Sequence, residues 1–307
     1  MPLEAAPEAG HVPVLLDEVM GFLAPKAGGV YCDATLGLGG HAGRLLQLSS
    51  PDGRLVGLDR DTQALARART ALAQFGDRVT FVHSRFGSLR SVLDGLGVSA
   101  IDGCLVDLGV SSLQLDTADR GFSFRKTAPL DMRMDQSQGE TAADLLGRTD
   151  EGDLERILRD LGEERFARKI ARAIVDARLG TDLGTTTALA EFIAKVVPFR
   201  ERHKDPATRT FQALRIALND ELGELERFLV DAPACLRPGG RLVVISFHSL
   251  EDRIAKRQLR ALAARDAPGG PSIRILTKHV VVASDEERRR NPRSRSAKLR
   301  AVERLSP

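Results

Sequence analysis

The stretch Asp33-Ala34-Thr35-Leu36-Gly37-Leu38-Gly39-Gly40-His41 decides the fold. It follows a short apolar run, Val30-Tyr31-Cys32, and precedes a helical pattern. It therefore reads as a strand, a glycine turn and a helix start. Glycine lets backbone approach a ligand closely, and the first N–H groups of the helix meet that ligand unpaired. Outward from this turn, the next apolar run, Arg54-Leu55-Val56-Gly57-Leu58, ends at Asp59. An acid at that distance suits the two hydroxyls of a ribose. The spacing predicts a nucleotide-like ligand.

The pattern around the turn repeats. Strand-like runs recur at 30–35, 54–59, 78–83 and 101–108, with helical patterns at 41–48, 61–75 and 86–96 between them. In the second helix Leu65, Ala68, Leu72 and Phe75 recur at three- and four-residue steps. Such alternation predicts an α/β fold, a parallel sheet with right-handed crossovers. It stops after Val110. From 116 to 205 the pattern is helical and polar, which predicts an inserted helical domain between two parts of one α/β domain, 1–115 and 206–307. Beyond it a long helix is expected over 206–235, stopped by Pro238-Gly239-Gly240. A buried strand at 241–247, a helix to 264 and two late strands at 273–283 and 297–305 follow, the last two joined by a charged loop.

Composition narrows the class. Of 307 residues 42% are hydrophobic and 28% charged, the balance of a globular chain able to bury a real core. No basic segment followed by an apolar one opens the sequence, and no apolar run approaches the ~20 residues a membrane helix needs, so the expected location is the cytoplasm. Cys32, Cys104 and Cys235 form no CxxC pair, and an odd count disfavours a disulfide framework; they read as small core residues. The histidines show no zinc-ligand spacing, so no metal site is expected. Oligomeric state stays open.

Gly37, Gly39 and Ala42 also fit G-x-G-x-x-A, which keeps a dinucleotide in view. Two acids favour S-adenosylmethionine instead. Asp33 stands just before the glycines, where it would repel a pyrophosphate and attract an ammonium group. Asp107 ends the fourth strand, where parallel sheets place their ligand crevice. The P-loop pattern is absent. Pro238-Gly239-Gly240 leading into a fifth strand and a late strand pair resembles the second half of a class I methyltransferase, a Rossmann-like fold with a seven-stranded sheet.

Further motifs are specific enough for a family. They include Val12-Pro13-Val14-Leu15-Leu16 preceded by His11, and Asp107-Leu108-Gly109-Val110-Ser111-Ser112. The insertion carries Arg120-Gly121-Phe122-Ser123-Phe124 and Pro129-Leu130-Asp131-Met132-Arg133-Met134-Asp135. Pro206-Ala207-Thr208-Arg209-Thr210-Phe211, Ser246-Phe247-His248-Ser249-Leu250-Glu251-Asp252 and Asn291-Pro292-Arg293-Ser294-Arg295-Ser296 follow in order. Spanning nearly the whole length, these resemble the bacterial small-subunit ribosomal RNA (cytosine-N4)-methyltransferase family. The resemblance implies S-adenosylmethionine as donor, a cytidine of the decoding region as acceptor, and the small ribosomal subunit or its RNA as partner. It implies donor contacts at Gly39, Gly40, His41, Asp59, Phe86, Asp107 and Gln114, beside Asp33 and Gly37 from the reading of the turn. The insertion would recognise substrate.

The exocyclic amine of cytosine is a poor nucleophile because its lone pair is delocalised into the ring. Methylation needs acceptors that pull the nitrogen toward tetrahedral geometry. Asp107 and the carbonyl of Leu108 lead, with Asn219, Asp220, Ser246 and His248 as alternatives; His248 could equally cap the helix behind it. A stacked cytosine must be turned out to reach the donor. With no Trp and one Tyr, stacking falls to Phe122, Phe124, Phe247 or arginine. RNA phosphates are expected to meet Arg288, Arg289, Arg290, Arg293, Arg295 and Lys298 on an exposed loop, with a second cluster at Arg200, Arg202, Lys204, Arg209 and Arg215. Arg165, Arg168, Lys169 and Arg172 extend the basic surface. Two other readings remain: a methyltransferase for DNA or protein amines, and a cofactor-fold RNA-binding assembly factor.

Overall fold

A computed structural model describes residues 12–198, 205–264 and 272–306. The chain runs α1 (Leu16–Leu23), β1 (Val30–Asp33), α2 (Gly40–Leu48), β2 (Arg54–Asp59), α3 (Thr62–Ala71), β3 (Val79–His83), α4 (Leu89–Gly95) and β4 (Ile101–Asp107). Six helices follow: α5 (Ser112–Asp116), α6 (Ala142–Arg148), α7 (Glu151–Gly162), α8 (Ala167–Ala177), α9 (Thr186–Val196) and α10 (Thr208–Asn219). Last come α11 (Glu221–Cys235), β5 (Leu236–Ser246), α12 (Ser249–Ala263), β6 (Ile273–Ile275), β7 (Val281–Val282), α13 (Asp285–Arg290) and β8 (Lys298–Arg304).

Two compact units emerge, Met1–Gly109 with Leu222–Pro307, and Val110–Glu221. The second therefore extends past the expected 116–205 at both ends. In the first unit the strand order is β3-β2-β1-β4-β5-β8-β6, with β7 also paired to β8. The strands β1 to β5 are parallel, and β8 runs antiparallel to β5, β6 and β7. This is the class I methyltransferase sheet. Its expected late strand at 273–283 is split: β6 pairs with one half of β8 and β7 with the other, so eight strands fill seven places.

Alternate residues of the central strands enter opposite cores, because both faces of this largely parallel sheet are covered by helices. Cys32, Val56, Cys104 and Val244 join Leu93, Phe228 and Leu259 on one face. Tyr31, Leu55, Leu105 and Val243 join Val19, Leu45 and Ala68 on the other. All three cysteines are free and buried, as small core residues.

Three expectations need correction. The helix over 206–235 is broken into α10 and α11 at Asp220, a left-handed residue (φ 50). Pro238-Gly239-Gly240 lies within β5 as a bulge: Leu236 pairs with Ile101, and pairing resumes at Arg241 with Gly103. The charged connection is helical, α13 and then a 3-10 turn at Pro292–Ser296, and its first turn holds three acids below three arginines in its last. That charge order suits the helix dipole.

The second unit has a core of its own, with Leu154, Leu158, Ile170, Ile174, Leu189 and Leu214 fully buried. Its motif residues are structural. Arg120, 1% exposed, donates to the carbonyls of Arg133 and Met134. Arg133 clasps Asp131 through two nitrogens at 2.8 and 2.9 Å. Phe122 is buried, and Phe124 packs edge-to-face on Phe211 at 4.8 Å. Both rings anchor the unit, Phe124 remaining half-exposed.

Candidate active site

The expected acids stand at the carboxyl ends of adjacent parallel strands, because each closes its strand: Asp33 on β1, Asp59 on β2 and Asp107 on β4. That edge is where open α/β sheets bind ligands. The glycine turn follows β1, with Gly37 (φ 52) and Gly39 (φ 84) in left-handed conformations that a side chain would strain. Gly39 is the N-cap of α2, and His41 lies in that helix's first turn.

Each carboxylate is differently tied. Asp59 accepts from the Gly37 N–H and the Asp61 N–H, both at 2.8 Å, one on each oxygen. A carboxylate oxygen has two lone pairs, so each retains one for a hydroxyl donor. Asp33, 2% exposed, accepts from the Thr35 N–H at 3.2 Å. Thr35 also reaches β4, where its Oγ1 accepts from the Asp107 N–H at 2.7 Å. The Asp107 side chain is 25% exposed, with Oδ2 3.9 Å from His41 Nδ1. Its Oδ1 is inaccessible and has no hydrogen-bond partner among the described residues.

Ionising these three carboxyls is costly. Burial pushes the Asp33 carboxyl up to about 7, eased by the Thr35 N–H and raised further by the charge of Asp59. Burial likewise lifts Asp59 to about 6, against the hydrogen bonds from Asp61 and Gly37. Asp107 is raised by desolvation and then by the charges of Asp33 and Glu251. A buried, unpartnered carboxylate oxygen is costly unless something supplies a donor or a positive charge. The residues present thus fit a ligand bearing an ammonium, a sulfonium and a ribose.

Phe86 opens a 3-10 turn behind β3 and packs edge-to-face on Phe228 at 5.7 Å. That turn is pinned from behind: the Gly87 N–H donates to the buried Glu224 carboxylate at 2.9 Å. Glu224 carries no sequence motif and would have been found only by its 3% exposure. Gln114 belongs to the second unit, where its Oε1 accepts from the Ser111 N–H at 3.0 Å and completes the cap of α5.

The alternative amine acceptors are engaged elsewhere. Asn219, 2% exposed, accepts from the Met134 N–H and donates to the Met132 and Arg215 carbonyls, each at 2.9 Å. It pins the turn in which Met132 is left-handed (φ 59), a structural role. His248 caps α12: Nδ1 accepts from the Glu251 N–H at 3.3 Å, and Nε2 lies 3.0 Å from Glu251 Oε1. The alternative reading of His248, a cap for the helix behind it, describes these bonds. Ser246 is buried in β5, and Asp220 forms the left-handed link between α10 and α11.

Basic residues divide in the same way. Arg289, Arg290, Arg293 and Arg295 are exposed on α13 and the turn behind it. Arg288 pairs with Asp285 at 3.5 Å, and Lys298 lies 3.4 Å from Asp252. Arg200, Arg202 and Lys204 lie outside the described residues. Arg209 is half-buried in the first turn of α10, and Arg215 is committed to Glu221 through two hydrogen bonds of 2.8 and 2.9 Å. Arg165 precedes α8, and Arg168, Lys169 and Arg172 line its exposed face.

Several known proteins are similar to this chain. Residues 8–305 match the MraW methylase family. The protein named Ribosomal RNA small subunit methyltransferase H in Geobacter sulfurreducens is 53% identical, over 96% of this chain and 99% of its own length. Its namesake in Pelobacter propionicus is 52% identical, over 96% and 98%. A solved rRNA methylase from Streptococcus thermophilus is similar with a TM-score of 0.42 and 13% identity, over 97% of this chain and 100% of its own. With the match running through the glycine turn, the strand-end acids and the helical unit alike, the chain belongs to the MraW methylase family.

Proposed function

We propose that this methylase transfers a methyl group from S-adenosylmethionine to N4 of a cytidine in the decoding region of small-subunit ribosomal RNA. The observation that carries the reading is the strand-end carboxylate rim, with Asp107 Oδ1 buried and unpartnered among the described residues. The names of relatives about half identical to this chain support ribosomal RNA as the substrate class.

The bound donor would supply an electrophilic methyl on a sulfonium that carries its own leaving group, so the chemistry assigned to the protein is positioning. Asp33 would hold the ammonium end, and Asp59 the ribose hydroxyls. Gly37, Gly39 and Gly40 let the turn approach closely, while His41 borders the rim and Phe86 offers a ring to the adenine. Asp107 and the Leu108 carbonyl are the groups to accept hydrogen bonds from the target amine, stabilising the positive charge that develops on it. Exposed arginines of α13 and its following turn, with Arg209 and α8 in the helical unit, would hold phosphates, and the helical unit would recognise substrate. The setting is the cytoplasm.

The test is transfer of labelled methyl to isolated small subunits, naked small-subunit RNA, DNA and protein in parallel, with nucleoside mass analysis. N4-methylcytidine in the ribosomal samples is expected. Label in DNA or protein points to another acceptor class. Donor binding without transfer to any sample points to an assembly factor.

A further inference from the structure

Residues 12–15 bridge the arginine-rich element and the glycine turn, all within the first unit. The Val12 carbonyl accepts from Asn291 Nδ2 at 2.9 Å, and the Leu15 N–H donates to Glu287 Oε1 at 2.8 Å. Between them, the Val14 carbonyl accepts from His41 Nε2 at 2.9 Å. Pro13 lies against the glycine turn so closely that a Cβ on Gly40 would fall 2.5 Å from its Cγ. Leu15 is buried and left-handed (φ 54), so the bend is held from both ends. Asn291, 7% exposed, is itself fixed, its carbonyl accepting from Ser294 Oγ at 2.8 Å.

A backbone carbonyl can only accept, so His41 Nε2 must carry a proton. In the neutral ring Nδ1 is then an acceptor, and this is the nitrogen 3.9 Å from Asp107 Oδ2. The partner of one ring nitrogen decides what the other presents.

We propose that Glu287 and Asn291 are positioning residues for His41: through the strap 12–15 they hold it as the Nε2–H tautomer, and so tie the arginine-rich arm to the donor crevice. The hold on His41 stands on its own, whereas its coupling to RNA rests on the function proposed above. Linkage makes that coupling reciprocal. RNA on the arm should tighten donor binding by the same factor as the donor tightens RNA binding.

The test uses the full chain labelled with 15N-histidine, the His41 signals being identified by their loss in His41→Gln. The natural protein should show the Nε2–H pattern. Asn291→Ala and Glu287→Ala should mix the tautomers and weaken S-adenosylmethionine binding about three- to tenfold without RNA present. Glu287→Gln keeps the acceptor for the Leu15 N–H and should restore both readings, which general loosening of the fold would not do. If Asn291→Ala fails to fold, the Glu287→Ala and Glu287→Gln pair decides. An unchanged His41 pattern in a folded Glu287→Ala protein overturns the proposal. Failure of the natural protein to bind S-adenosylmethionine would overturn the proposed function instead, leaving the His41 spectrum to judge the strap.

Discussion

Asp33 sets the pH response of the crevice. Burial holds its carboxyl near 7, and a cationic ligand needs it ionised. S-adenosylmethionine affinity should therefore rise about tenfold between about pH 6 and about pH 8, and titration calorimetry at several pH values would measure it. Asp33→Asn should bind more weakly and lose that dependence. Asn219 makes the opposite kind of prediction. With its amide bonded to Met132, Met134 and Arg215, Asn219→Ala should cost about 2–4 kcal/mol of stability in denaturant titration. Donor affinity should hardly change; a catalytic role would instead spare stability and abolish transfer. The acids were legible in the sequence because each closes an apolar run beside glycine or a helix start. Asn219 and His248 were not, since a polar residue in a motif reads alike whether it caps, pins or catalyses, and only its bonds separate these roles.

Ala24 ends α1 in a left-handed conformation (φ 45) while exposed, so Ala24→Gly should stabilise the protein by about 1 kcal/mol in thermal melts. A Cβ on Gly87 would clash with the Glu224 carboxylate, with the Glu224 carbonyl 3.2 Å away. Gly87→Ala should shift the Phe86 turn and weaken donor binding, measured by calorimetry, with the arginine arm unaffected. Periodicity gave the order of the strands and helices, because a buried parallel sheet demands continuous apolar runs. It missed the break at Asp220, which neither Gly nor Pro marks. It also took α13 for a loop, because a six-residue helix of charged side chains has no apolar stripe to betray it.

For the whole molecule, the raised carboxyls link stability to pH. Asp33 near 7 and Asp59 near 6 hold protons more tightly folded than at the ordinary value of 3.8. Their contribution is complete below about pH 4 and is lost as pH rises through about 6 to 7. The donor-free protein should melt progressively lower over that window, and S-adenosylmethionine should restore more of the melting temperature at pH 8 than at pH 6. The two-unit organisation was visible as a change of pattern, but its edges were not, because α10, read as the resumption of the α/β pattern, belongs to the helical unit. The carboxylate rim is proposed as a seat for a cationic nucleoside. Calorimetric titration of the folded protein with S-adenosylmethionine tests it most directly: saturable binding that Asp59→Ala abolishes is predicted, and no binding at any pH, with ribosomal RNA present or absent, would contradict it.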